Sequence, residues 1–255
     1  MARVRRLLPI LLLALLLPAC GGSTHALEDS LADASSRTAA GGTASFTIAI
    51  HGTVAGVSVQ SSESGTFSFS EREAHFYKLV PGGAVPQEIV LDGPYEYTNA
   101  NVDAAMNDST VKPWTKLDTR RLSASDRARY PDELAHVRAL AYLADGVTDA
   151  KRVGFVTVDG EQRTHFRGLV DPAHVGAHAP AAERAALRTA VRNDYLAKPF
   201  AADFWLDDSG RVRRVLVDYR TAGGGRIVVD GGFSGFGGKV DLTVPAADEI
   251  QDITP

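Results

Sequence analysis

Between Phe46 and Tyr97 the sequence repeats one pattern: large apolar side chains alternate with small or polar ones, then a short turn follows. Phe46, Ile48 and Ile50 alternate with Thr47 and Ala49, Val57 and Val59 flank Ser58, and Phe67 and Phe69 flank Ser68. Ala74 to Val80 and Glu88 to Leu91 continue it around a Pro81-Gly82-Gly83 loop, and Asp92-Gly93-Pro94 turns the chain into Tyr95-Glu96-Tyr97. A period of two belongs to a strand with one buried face. Connections this short only reverse the chain, because a parallel return needs a crossover of a dozen residues or more. The pattern predicts an antiparallel meander and argues against a doubly wound parallel sheet.

Helical signals surround the meander. His25 to Ala40 sets Leu27, Leu31 and Ala34 on one face and stops at Gly41-Gly42. Pro113 to Leu117 closes the meander, and Pro131-Asp132-Glu133 then opens a helix carrying Leu134, Val137, Leu140, Ala141 and Ala144 as far as Gly146. Val153 to Val158 and Gln162 to Val170 read as a hairpin across Asp159-Gly160. Ala181 to Ala197 reads as another helix, with Leu187, Val191 and Tyr195 at four-residue steps. Phe204 to Leu206 and Val212 to Tyr219 form a further hairpin, and strands are expected at Arg226 to Val229 and Lys239 to Val244. Trp114 and Trp205 are expected in the core. With no dividing linker, residues 25–255 read as one α+β domain: a long antiparallel sheet with a few helices on one face.

The first residues place this domain. Arg3, Arg5 and Arg6 precede an aliphatic run, Leu7 to Leu17, about half the length of a membrane-spanning helix. Such a run after a basic start is a signal-peptide core. Leu17-Pro18-Ala19-Cys20 resembles the lipobox of bacterial lipoproteins, departing from it in Pro18, where Ala, Ser or Thr is preferred. The resemblance implies removal of residues 1–19, a diacylglyceryl group on Cys20, and a tether over residues 20–24 on the outer side of a membrane. The alternative is an ordinary signal peptide cut elsewhere, with Cys20 incidental. Cys20 is the only cysteine, which excludes an intrachain disulfide. Two acyl chains give the stable anchoring that one does not.

The net charge is −4, and it becomes −7 without residues 1–19, which hold three arginines and no acid. A chain without a basic stripe is not expected to bind nucleic acid. It reads as a monomer whose acids serve solubility.

The order of these features resembles that of the actinobacterial LppX/LprG-type lipoproteins, with the LolA/LolB-like fold. The carriers of the likeness are the strand Ser45 to His51, Glu88-Ile89-Val90-Leu91-Asp92-Gly93, Trp114-Thr115-Lys116, Val158-Asp159-Gly160, Thr164-His165-Phe166-Arg167-Gly168 and Phe204-Trp205-Leu206-Asp207-Asp208-Ser209-Gly210. What the resemblance implies is a strongly curved half-barrel with helices on its concave face, enclosing an apolar cavity for the acyl chains of an envelope lipid or lipoglycan. Strand parity and helix face nominate Phe46, Ile48, Ile50, Val59, Phe67, Phe69, Leu140, Leu143 and Phe166 as its lining. A one-residue slip would exchange the faces. The other reading is a non-transporting interaction or sensory lipoprotein with a solid core.

Other motifs carry less. His174 and His178 lie four apart but among Pro172, Gly176 and Pro180, a loop without a third ligand. Asp207-Asp208-Ser209-Gly210 lacks the further ligands of a calcium loop and reads as a turn. The glycine-rich stretch 231–238 has no phosphate-loop lysine, and Ser234 lacks a nucleophile-elbow context. It is either a mobile flap at the cavity mouth, with Phe233 and Phe236 as apolar contacts, or a plain surface loop. Arg211, Arg213, Arg214, Arg220 and Arg226 meet anionic headgroups or form a solvated face tempered by Asp207, Asp208 and Asp218. No constellation supports catalysis, a metal or a cofactor.

Overall fold

The computed structural model describes residues 24–83, 85–130, 132–158, 160–194, 198–221 and 224–255. Cys20, the apolar run before it and residues 195–197 lie outside the described residues.

The meander is present. β1 (Thr43–Val54) and β2 (Val57–Ser68) form a long hairpin, continued by β3 (Glu73–Leu79), β4 (Gln87–Asp92), β5 (Tyr95–Thr98) and β6 (Trp114–Asp118). Ala55 and Gly56, both with positive φ, make the two-residue turn of that hairpin. On the other side of β1 lie β11 (Arg226–Ser234), β10 (Val212–Arg220), β9 (Phe200–Leu206), β8 (Glu161–Val170) and β7 (Val147–Val158). Every one of these pairs is antiparallel, and the curved sheet stays open, with β7 at one edge. This is the curved α+β half-barrel expected from the sequence.

The far edge differs from expectation. Residues 239–246 are irregular, and the last strand is β12 (Ile250–Asp252), which pairs in parallel with β6. The Lys239–Val244 segment alternates like a strand, but both edges of β1 are already taken by β2 and β11. β11 in turn runs five residues past Val229, through Gly231-Gly232. A Cβ on Gly231 would stand 2.8 Å from Leu140 Cδ1, so the glycine is where the helical layer seats on the sheet.

That layer consists of α1 (Thr24–Ala39) and α4 (Ala135–Tyr142), the latter extended by a short 3-10 turn to Gly146. α5 (Arg184–Asp194) packs against α4, while α2 (Val102–Asn107) and α3 (Ala124–Arg129) lie in the connections on either side of β6. Ser123 caps α3 by accepting from the Asp126 N–H at 3.2 Å. Leu31 and Ala34 of α1 and Val137, Leu140 and Leu143 of the α4 segment are buried against the inner face of the sheet.

One end of the concave face is filled with aromatic rings. Phe46 meets Phe67 edge-on at 5.6 Å and reaches Phe76 at 5.7 Å, across the bare Gly65 that pairs with both. Phe69 and Phe233 complete the cluster, each within 6.2 Å of another ring. Trp205 is not in the core. Its neighbours Phe204 and Leu206 point inward, so Trp205 points out, half-buried between His165, stacked at 4.5 Å, and the Arg214 guanidinium at 4.7 Å. Trp114, in β6, is also only half-buried.

A candidate acyl-chain cavity at the open end of the sheet

Twelve-residue strands such as β1 and β2 run about 40 Å, whereas the sixteen residues of α1 span about 24 Å and the eight of α4 about 12 Å. The helices are too short to cover the strands. Uncovered inner face remains where β1 and β2 approach their turn, and there a cavity of about 300 Å³ opens. Its walls are Ile48, Ile50 and Val54 of β1, Ile227 and Val229 of β11, and Tyr219 beside Thr221. A second cavity of about 480 Å³ adjoins it between α4, α5 and the chain before α4. The two share Lys78 and His136. Each volume falls in the range of about 300–1,000 Å³ typical of ligand sites.

The seam between the cavities is charged but internally neutralised. Glu63, buried on the inner face of β2, lies 2.6 Å from His136 Nε2 and 3.6 Å from Lys78 Nζ, and Lys78 donates to Glu133 at 2.7 Å. Burial pushes the Glu63 carboxyl up, but the His136 hydrogen bond and the charges of His136 and Lys78 outweigh it and hold the pKa below its ordinary value. Lys78 is pushed down by burial and, more strongly, up by Glu63 and Glu133. Just behind them Arg72 bridges Glu96 at 3.0 Å and Asp132 at 3.7 Å. Burial, with the charge of Glu133 next, lifts Glu96 to about 7 against the pull of Arg72. The result is an apolar slot with a polar, mutually paired floor. Such a slot sets apolar walls beside hydrogen-bonding groups, its floor charges paired with one another.

Of the nine residues nominated as lining, Ile48 and Ile50 face the apolar cavity. Val59 is half-buried on the inner face of β2 near the turn. Phe46, Phe67, Phe69, Leu140, Leu143 and Phe166 are buried in the filled part of the core, away from both cavities. Phe233, placed in a flap by its glycines, is a buried β11 residue beneath Phe67 and Phe69. Phe236 lies past the strand end, half-buried under Arg211 at 4.5 Å. The residues that parity missed are Glu63, Lys78, Glu133 and His136. Glu63 was discoverable in principle, being a charge at an inward position of β2, in step with Val59 and Phe67.

The remaining motifs resolve locally. His174 pairs with Asp171 at 2.9 Å and His178 approaches Asp145 at 3.4 Å, and among the described residues no cluster of three metal-binding side chains occurs. Asp207 accepts from the Arg211 N–H and closes the β9–β10 turn. Four of the five arginines of that region are paired: Arg211 and Arg213 with Asp207, Arg214 with Asp230, Arg226 with Asp218. No helix among the described residues is long and apolar enough to cross a membrane.

The open, curved sheet with helices on its concave face is the fold of LppX-type lipoproteins. LprF from Mycobacterium bovis matches it at 15% identity and a TM-score of 0.54, over 88% of this chain and 98% of that one. The Mycobacterium tuberculosis lipoprotein LppX matches at 16% identity and a TM-score of 0.51, over 86% of this chain and all of its own. At such identities the likeness is one of fold. No known family model and no curated protein sequence matches the chain.

Proposed function

We propose that this chain is a non-catalytic, monomeric lipoprotein, anchored through Cys20 on the extracytoplasmic face of a membrane, that binds an acyl chain of an envelope lipid or lipoglycan and carries it. The observation that carries the reading is the apolar slot over the inner face of β1 and β11, formed because the helices stop short of the strand ends. Each methylene moved from water into such a slot contributes about 0.8 kcal/mol, so several carbons bind without a specific polar contact. The paired charges at the seam leave hydroxyl and ester oxygens of a headgroup free to hydrogen-bond without disturbing a lone buried ion. The rival reading, an interaction module with a solid core, is favoured by the filled part of the core, where six of the nine nominated residues are buried away from both cavities. The open end favours the carrier.

Native mass spectrometry of the protein purified from its host tests the reading. Co-purified lipid at one copy per chain is the expected result, and a ligand-free spectrum under gentle ionisation contradicts it. Anchoring is tested separately: Cys20→Ala should move the protein from the membrane to the soluble fraction, and a variant that stays on the membrane removes Cys20 from the account.

A further inference from the structure

Three connections open toward the cavity end of the sheet. They are the β1–β2 turn at residues 54–57, the β3–β4 loop at 80–86 and the β10–β11 turn at 221–225. Arg226 pairs with Thr53, which puts the third beside the first, whereas Leu79 pairs with Ser62, five residues from Val57, so the second opens toward the same end but is set back from the turn. Not one of these sixteen residues is charged; they are Val, Ala, Gly, Pro and a single Thr. Surface turns are ordinarily polar. Here Val54, Val57 and Val85 stand 42%, 66% and 55% exposed, and Val54 also lines the cavity. Directly behind them two guanidinium groups, Arg220 and Arg226, flank one carboxylate, Asp218, with which Arg226 pairs, and the His51 imidazole lies beside it. A chain of net negative charge thus has an uncharged apolar rim with a cationic collar at the mouth of its cavity.

The path of the N-terminus points the same way. Strand pairing carries the level of Ile50 across the sheet to Val229, Val217, Ala202 and Gly168. Gly168 packs against the Thr148 carbonyl, and the next residue, Asp149, donates its N–H to Glu28 in the second turn of α1. At the other end of α1, Thr38 accepts from the Val212 N–H, which lies beyond the level of Thr47 on the side away from the turn. α1 therefore starts at the cavity end. From its first residue, Thr24, only three residues separate the fold from Cys20, a reach of about 14 Å at most.

We propose that this open end is a membrane-docking face, seating Val54, Val57 and Val85 in the interface of an anionic bilayer with the cavity mouth turned toward the lipid. This rests on the acyl-binding reading of the same cavity and adds the partner from which the chain would enter. Apolar area buried in the interface and attraction of the collar to anionic headgroups act together, each weak alone.

The competing surface is the β7–β8 hairpin at the opposite end, where Val153 and Phe155 are 55% and 61% exposed. It sets the control. The sheet, its core and the helices described lie within residues 24–255, and a chain starting at Thr24 contains no cysteine. Val57→Cys, Val85→Cys and Phe155→Cys in that chain, each carrying one environment-sensitive dye, are mixed with phosphatidylglycerol–phosphatidylcholine vesicles. The expected result is a several-fold rise in emission at positions 57 and 85 and little change at 155. A response at 155 as large as at 57 and 85, or none at any position, overturns the proposal. A chain that holds lipid by mass spectrometry but gives no dye response keeps the cavity and loses the docking face, and a lipid-free chain whose tip responds does the reverse.

Discussion

At the residue scale the cavity depends on where side chains are missing as much as on where they are present. Gly65 lets Phe46 and Phe76 meet and fills the closed end, and Gly231 lets Leu140 sit directly on β11. Gly231→Val should push α4 off the sheet and cost about 1–3 kcal/mol in urea unfolding. Adding Leu140→Ala should recover part of that loss, because the two positions share one contact; additive losses would contradict the packing described. The same glycine explains a gap in what the sequence makes legible. Gly231-Gly232 reads as the end of a strand, since glycine weakens strands locally, and its partner Leu140 lies 91 positions away. Likewise Glu63 looks like one more polar residue in a serine-rich strand until His136, 73 residues on, is seen to meet it. Ile48 and Ile50 were readable, because parity alone decides their face.

At the element scale, the start of α4 is held to the sheet by two ion pairs, Asp132 to Arg72 and Glu133 to Lys78, and by the hydrogen bond between His136 and Glu63. Glu96, behind them, is raised from 4.5 to about 7 by burial and by Glu133, so its neutral form is the one the fold prefers. The stability this lends is complete below pH 4.5 and is lost as pH rises to about 7, where a buried carboxylate must ionise. Glu96→Gln stays neutral throughout. Relative to the wild type it should gain on the order of 3 kcal/mol between pH 4.5 and pH 8. Urea unfolding of both proteins at the two pH values reads this, and a difference that does not vary with pH would refute it. The meander and the helices α1, α4 and α5 follow from periodicity in the sequence, whereas β12 does not. Three residues, Ile250 to Asp252, carry too little pattern to be recognised, and their place is set by β6 and by Thr254, whose hydroxyl accepts from the Asp118 N–H.

At the scale of the whole molecule the decisive quantity is a mismatch of lengths. Strands rise about 3.3 Å per residue and helices 1.5 Å, so helices of eight and sixteen residues leave the ends of twelve-residue strands bare. The sequence makes the curved sheet legible, but not which end is filled, because that depends on where α4 lands. The most direct test is to fill the slot from within. Ile50→Trp places a large ring in the cavity over the inner face of β1 and β11, away from the aromatic cluster. Titrating a fluorescent long-chain fatty acid into wild type and Ile50→Trp, with melting curves to establish that both are folded, should give saturable one-to-one binding in the wild type and at least tenfold weaker binding in the variant. Equal binding by the two folded proteins, or none by the wild type, would contradict the claim that the bare strand ends hold an acyl chain.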